Sequence, residues 1–199
     1  MNKKNQAQLD KNKILVISGP TGSGESTITK EIIKKYPVFQ RMVTSTTRKP
    51  RGNEQDEVDY YFFTEEKFNK QRELGNILEY TYIENRKVYY GTYLPELEKK
   101  LAQGHVIVNV DHIGLKFYKK NYGAISIFIK PESLDTIKER LQARNPEITE
   151  EELMNRLKNA QDEIDREERF YDYKVFNKQN KLEAAIEEIE VILKKEDYI

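Results

Sequence analysis

The chain has 199 residues, enough for one α/β domain with a real core. Lysine plus arginine and aspartate plus glutamate are both 34, so no global charge draws it to nucleic acid or an anionic membrane. It has no cysteine, which excludes disulfides, thiol catalysis and cysteine-ligated zinc.

Residues 1–12 are polar and read as a flexible tail. The apolar run Ile14–Ser18 reads as a strand, and a helix-like stretch follows from Ser26 to Tyr36. Between them lies Gly19-Pro20-Thr21-Gly22-Ser23-Gly24-Glu25-Ser26-Thr27. This is the strand–loop–helix setting in which G-x-x-x-x-G-K-[ST] cradles phosphate, with Glu25 where the lysine belongs. Glycines let backbone N–H groups converge on phosphate oxygens, and the helix N-terminus adds partial positive charge. Residues 44–92, rich in tyrosine, threonine and charge, read as a small β-rich insert. Strand-like runs return at Val106–Val110 and Ala124–Ile129. Residues 140–173 are charged and helical, and Thr149-Glu150-Glu151-Glu152 supplies a capping box. Leu182, Ile186, Ile189 and Leu193 mark a last packing helix. The alternation predicts an α/β fold with a parallel sheet. The core is then 13–43, 93–139 and 174–199, carrying the insert and a helical lid over 140–173. No stretch resembles a signal peptide or a membrane span, so a cytoplasmic location is expected.

Further groups join the loop. Thr44-Ser45-Thr46-Thr47-Arg48-Lys49-Pro50-Arg51-Gly52 is followed by Glu54 and Asp59-Tyr60. Glu79 precedes Tyr89-Tyr90-Gly91-Thr92, then come Asn109-Val110-Asp111, Arg140-Leu141, Arg144 and Arg156-Leu157. Each has an ordinary explanation singly: arginines as loop charges or helix ion-pair partners, tyrosines as sheet packing, Glu79 as a solvated acid. Together and in this order they resemble the guanylate kinase family, over most of the chain from about Ile14 to the last helix. The departures are Glu25 and Asn109, which stands where the family's D-x-D has its first acid.

The resemblance implies a three-layer P-loop kinase fold and an ATP:GMP phosphotransferase working with Mg²⁺, as a monomer or homodimer, with no nucleic-acid or membrane partner. Gly19, Gly22, Ser23, Gly24, Glu25, Ser26 and Thr27 would form the ATP phosphate loop, Ser26 presenting its hydroxyl to the metal. Arg48 and Arg51, with Tyr60 and Tyr90, would clamp the GMP phosphate, because a guanidinium fork bonds oxygens bidentately. Glu79 would accept the guanine N1–H and N2–H₂ donors, with Thr44, Gly91, Thr92 and Asp111 along the base edge. Arg48, Arg144 and Arg156 would neutralise the transferring charge, and Arg140 and Asn177 would meet ATP. His105 and His112 need no catalytic role.

Glu25 divides the readings. A unit charge at about 4 Å is worth roughly 4 kcal/mol at an effective dielectric near 20, which is about a thousandfold in rate. An outward turn of Glu25 with an arginine substituting, an additional Mg²⁺ on its carboxylate, and a dead donor side all fit the sequence. One reading is therefore an active kinase; the other is an inactive module of the same fold that binds GMP or a phosphorylated peptide.

Overall fold

The computed structural model describes residues 12–84 and 86–199, with the backbone alone at Glu167. All of the expected tail except Asn12 lies outside the described residues. In chain order the elements are β1 (Ile14–Ser18), α1 (Glu25–Lys35), β2 (Phe39–Arg41), β3 (Ser45–Thr46), β4 (Tyr61–Phe62) and α2 (Glu65–Glu73). They continue with β5 (Ile77–Ile83), β6 (Val88–Tyr93), α3 (Leu94–Leu101), β7 (His105–Val108), α4 (His112–Tyr122) and β8 (Ile125–Pro131). The last are α5 (Leu134–Arg144), α6 (Glu150–Glu167), β9 (Tyr173–Asn177) and α7 (Leu182–Lys195). The fold is α/β, with β1, β2, β7, β8 and β9 all paired in parallel.

The chain divides into two compact units, one within Met1–Ile14 and Val38–Ala124, the other Leu15–Pro37 with Ile125–Ile199. In the first unit β2 runs parallel to β7, from Phe39 opposite His105 to Arg41 opposite Ile107. A second sheet has the order β4-β3-β6-β5. Its β5–β6 pairing is antiparallel with an irregularity between Ile77 and Tyr80. Phe63, Phe68 and Ile77 are buried beneath it, packed with Tyr61, Tyr89 and Tyr93. Phe68 belongs to α2, a helix absent from the β-rich expectation for 44–92. Its N-cap Thr64 accepts the Lys67 amide, and its residues are otherwise polar, so no apolar stripe announces it.

In the second unit β1, β8 and β9 form a parallel ladder. All five residues of β1 are buried, as parallel strands covered on both faces require. Ile137 and Leu141 of α5 bury themselves against Leu153 and Ala160 of α6. Thr149 caps α6 by accepting the Glu152 amide, so the first part of that capping-box pattern is present. Helix α7 buries Ala185, Ile186, Ile189, Ile192 and Leu193, and Glu190 on it pairs with Lys35 at the end of α1.

Candidate active site

In the second unit the loop Gly19–Gly24 joins β1 to α1. Gly24 is the N-cap of α1 at φ 91°, a left-handed conformation that favours glycine. A Cβ on it would lie 2.3 Å from Asn177 Nδ2, so the position has no room for a side chain either. That closeness reflects a brace. Asn177, buried at the end of β9, donates from Nδ2 to the Ser23 carbonyl at 2.7 Å. Arg140 of α5 donates from Nη1 to the Gly22 and Ser23 carbonyls, both at 3.1 Å, and from Nη2 to the Asn177 carbonyl at 2.9 Å. Its Nε donates to Gln179 Oε1. The sequence expectation for Arg140 and Asn177 is contact with ATP; here Arg140 Nη1 and Asn177 Nδ2 bond the loop's own carbonyls, and the other Arg140 donors go to Asn177 and Gln179. Partial burial pulls the Arg140 guanidinium below its ordinary pKa, and it remains a cation. With the Ser23 carbonyl turned towards the brace, the planar trans peptide aims the Gly24 N–H the opposite way. The Ser23 hydroxyl is buried, with no hydrogen-bond partner among the described residues.

Glu25 is the first residue of α1 and is partly buried; Ser26 and Thr27 follow, both exposed. An acid there suits the helix, because the N-terminal turn carries partial positive charge. The same partial charge is what draws a phosphate to a helix N-terminus in general. Arg144 ends α5 and is exposed. Arg156 of α6 is held by Glu152 one turn earlier, with Nη2 and Nε at 2.6 and 3.0 Å from Oε1. Such a surface pair is weak.

The first unit holds the other group of residues. Arg48 makes a bidentate pair with Glu54, Nη1–Oε2 2.7 Å and Nη2–Oε1 3.0 Å. It also donates from Nε to the Tyr90 hydroxyl at 3.1 Å and from Nη1 to the Lys49 carbonyl. These bonds use all but one Nη2–H of the five guanidinium donors. The ring of Tyr60 lies 5.2 Å below the guanidinium and meets Tyr90 edge-on. Hydrogen bonding to Glu54 raises the Arg48 pKa still further, and Arg48 in turn holds Glu54 below its usual range. Arg51 is exposed, and its amide donates to Glu54 Oε2 at 2.7 Å. Thr44 precedes β3, where its carbonyl accepts the Tyr61 amide.

Glu79 projects from β5, and Thr92 Oγ1 donates to its Oε1 at 2.6 Å. Gly91 brings this about: it pairs with Tyr80, and a Cβ there would sit 2.8 Å from the Glu79 carbonyl oxygen. Asp111 caps α4, accepting the Ile113 and Gly114 amides on Oδ1 and the Thr81 hydroxyl on Oδ2 at 2.7 Å. Burial pushes the Glu79 carboxyl up to about 7; the Thr92 bonds lower it and the Asp111 charge raises it further. Thr92 is fully buried, and its hydroxyl bonds Glu79 and Tyr118.

The family profile described as Guanylate kinase matches residues 11–196. The chain belongs to the guanylate kinase family. It is 40% identical over 185 residues to a guanylate kinase of Clostridium perfringens strain SM101, across 90% of this chain and 82% of that one. To a guanylate kinase of Wolbachia pipientis wMel it is 36% identical over 189 residues, covering 92% and 90%. The solved guanylate kinase of Anaplasma phagocytophilum matches with a TM-score of 0.71 and 27% identity, across 93% of this chain and 86% of that one. The SH3-kinase fragment of tight junction protein 3 shares the fold alone, at TM-score 0.51 and 12% identity.

Guanylate kinases are nucleoside monophosphate kinases, and their motif residues here are joined by three groups that sequence reasoning did not assign. Glu54 was visible as part of the motif, and the structure makes it the brace of Arg48. Thr81 ties β5 to the cap of α4. Tyr118 of α4 is fully buried and shares a hydrogen bond with Thr92. Its place in an amphipathic helix reads as core, and only the fold brings its hydroxyl to β6.

Proposed function

We propose that this chain transfers the γ-phosphoryl group of ATP to GMP, giving GDP and ADP, at a rate held down by Glu25. The observation that carries the reading is the half-buried carboxylate of Glu79, pinned at Oε1 by Thr92. Guanine offers N1–H and N2–H₂ donors to such an acceptor, and adenine presents a bare N1. A base lacking the donors leaves the carboxylate unpaired, which a buried polar group tolerates poorly. Asp111 extends the acceptor edge, and Thr44 and Gly91 stand on the neighbouring backbone. In this reading Arg48, Arg51, Tyr60 and Tyr90 hold the GMP phosphate, with Glu54 keeping Arg48 in place until the phosphate arrives.

On the donor side, Gly19, Gly22, Ser23, Gly24 and Thr27 cradle the ATP phosphates, and Arg140 and Asn177 keep that cradle in shape. Among the described residues no group of three or more His, Cys, Asp or Glu could hold a metal ion. The residues present fit Mg²⁺ that would arrive with ATP, for which Ser26 would offer its hydroxyl. When bound, Mg²⁺ offsets phosphate charge. Arg48, Arg144 and Arg156 stabilise the charge on the transferring group, and no covalent intermediate or general base is invoked. The core, insert and lid boundaries given above belong to this proposal, as does a cytoplasmic location; among the described residues no helix is long and apolar enough to cross a membrane.

The second reading, an inactive module that binds GMP or a phosphorylated peptide, draws on Glu25 at the start of α1. A coupled assay for ADP with ATP, Mg²⁺ and GMP, run with an AMP control, separates the two. GMP-dependent turnover is the expected result. No turnover in this chain or in Glu25→Lys would leave the binding module.

A further inference from the structure

Thr92 Oγ1 has two polar neighbours in the fold: Glu79 Oε1 at 2.6 Å and the Tyr118 hydroxyl at 2.9 Å. A threonine hydroxyl carries one hydrogen. While Glu79 is ionised its carboxylate can only accept, so that hydrogen goes to Glu79 and the Tyr118 phenol donates to Thr92. The result is a one-way chain, Tyr118 to Thr92 to Glu79. Both hydroxyl residues are fully buried, so no solvent completes or replaces it. Accepting a hydrogen bond strengthens a hydroxyl as a donor, and the effect grows in a dry interior.

We infer that Tyr118 is a positioning residue for base recognition: through Thr92 it fixes Glu79 Oε1 as an acceptor and leaves Oε2 for the ligand. The inference rests on Glu79 reading the guanine edge. The ring of Tyr118 is held independently of its oxygen, packed against Phe117 and Tyr122 of the same helix. Tyr118→Phe therefore removes the donor and keeps the wedge. Burial raises the phenol's pKa far above the ordinary value, so it remains a donor at all working pH.

The other groups facing Glu79 act differently. From α4, Asp111 opposes ionisation of Glu79, and Tyr122 faces Tyr118. From β6, the Thr92 amide also bonds Glu79. Tyr118 is thus the remote end of the chain that favours the ionised acceptor.

The test is calorimetric, because dissociation constants need no turnover. GMP, inosine 5′-monophosphate and ATP are titrated into the native chain, Tyr118→Phe, Glu79→Gln and the double variant, at several pH values. Tyr118→Phe is expected to weaken GMP about tenfold at pH 7. It should leave ATP binding unchanged, narrow the preference for GMP over inosine monophosphate, and move the pH midpoint of GMP affinity upward. In the double variant the Tyr118 effect should largely vanish, since it acts through Glu79. Unchanged GMP affinity in Tyr118→Phe beside a strong loss in Glu79→Gln would overturn the relay alone. Equal loss for GMP and ATP would reduce Tyr118 to a packing residue. No GMP effect in Glu79→Gln would instead sink the guanine reading on which the relay stands.

Discussion

The candidate site residues of the two units are held in different ways. In the first, side chains hold side chains: Glu54 holds Arg48, Thr92 holds Glu79, and Thr81 bonds the cap residue Asp111. In the second, side chains hold backbone, and Arg140 and Asn177 fix the carbonyls of Gly22 and Ser23. A site that reads a base needs chemically distinct side chains at set positions. A site that cradles phosphate needs N–H groups, so its specificity lies in chain geometry. The consequence is unequal sensitivity to a single substitution. On the proposed reading Glu25 changes the charge at the start of α1, while the Gly22 and Ser23 carbonyls are braced from elsewhere.

The largest effect follows from that charge. Glu25→Lys should raise turnover by about three orders of magnitude, the rate equivalent of roughly 4 kcal/mol, with the KM for GMP nearly unchanged. A matching change in GMP affinity would show that Glu25 acts on the acceptor side, and the contrast between the units would fail. Glu79→Gln comes next, with a loss on the order of a hundredfold in GMP affinity and little change for ATP, because an amide presents a donor where guanine has one. Equal weakening of both nucleotides in steady-state KM values would remove the assigned role.

Arg140→Ala addresses the brace itself. Its donors reach three backbone carbonyls, of which that of Ser23 keeps its Asn177 bond when Arg140 is lost. The expected cost is about 2–3 kcal/mol of stability, read as a lower urea midpoint, with ATP affinity falling roughly tenfold. Arg140→Lys should recover part of the stability, since an ammonium cannot span all three. Loss of ATP affinity with stability intact would make Arg140 a nucleotide ligand.

The sequence showed the loop, the order of the motifs and the parallel strands because each is written in contiguous residues. Ile14–Ser18 reads as a strand from composition alone, and the structure returns the same bounds. Helix α2 was illegible because only Phe68 of its nine residues is buried, leaving no stripe for periodicity to find. The brace was illegible for another reason. Asn177 and Arg140 meet Ser23 across separations of 154 and 117 residues, and no local pattern distinguishes an arginine aimed at a carbonyl from one aimed at a phosphate. Tyr118 was hidden likewise, its hydroxyl meeting Thr92 across 26 residues.

The smallest effect separates folding from recognition at one carboxylate. Burial raises Glu79 to about 7 in the unliganded fold, above its ordinary value of 4.5. The fold thus favours the protonated form, so this contribution to stability is complete below about 4.5 and is lost as pH rises through about 7. Recognition runs the other way, since guanine donors need the ionised carboxylate, and GMP affinity should rise over the same interval. Binding at pH 7 should then release about half a proton, the fraction still bound when pH equals pKa. Calorimetry in buffers of different ionisation enthalpy reads that release directly, and Glu79→Gln should abolish it. GMP affinity that is flat between pH 5 and 8, with no proton released, would mean that guanine does not contact this carboxylate. The paired side chains of the first unit would then be scaffolding, as the brace is in the second.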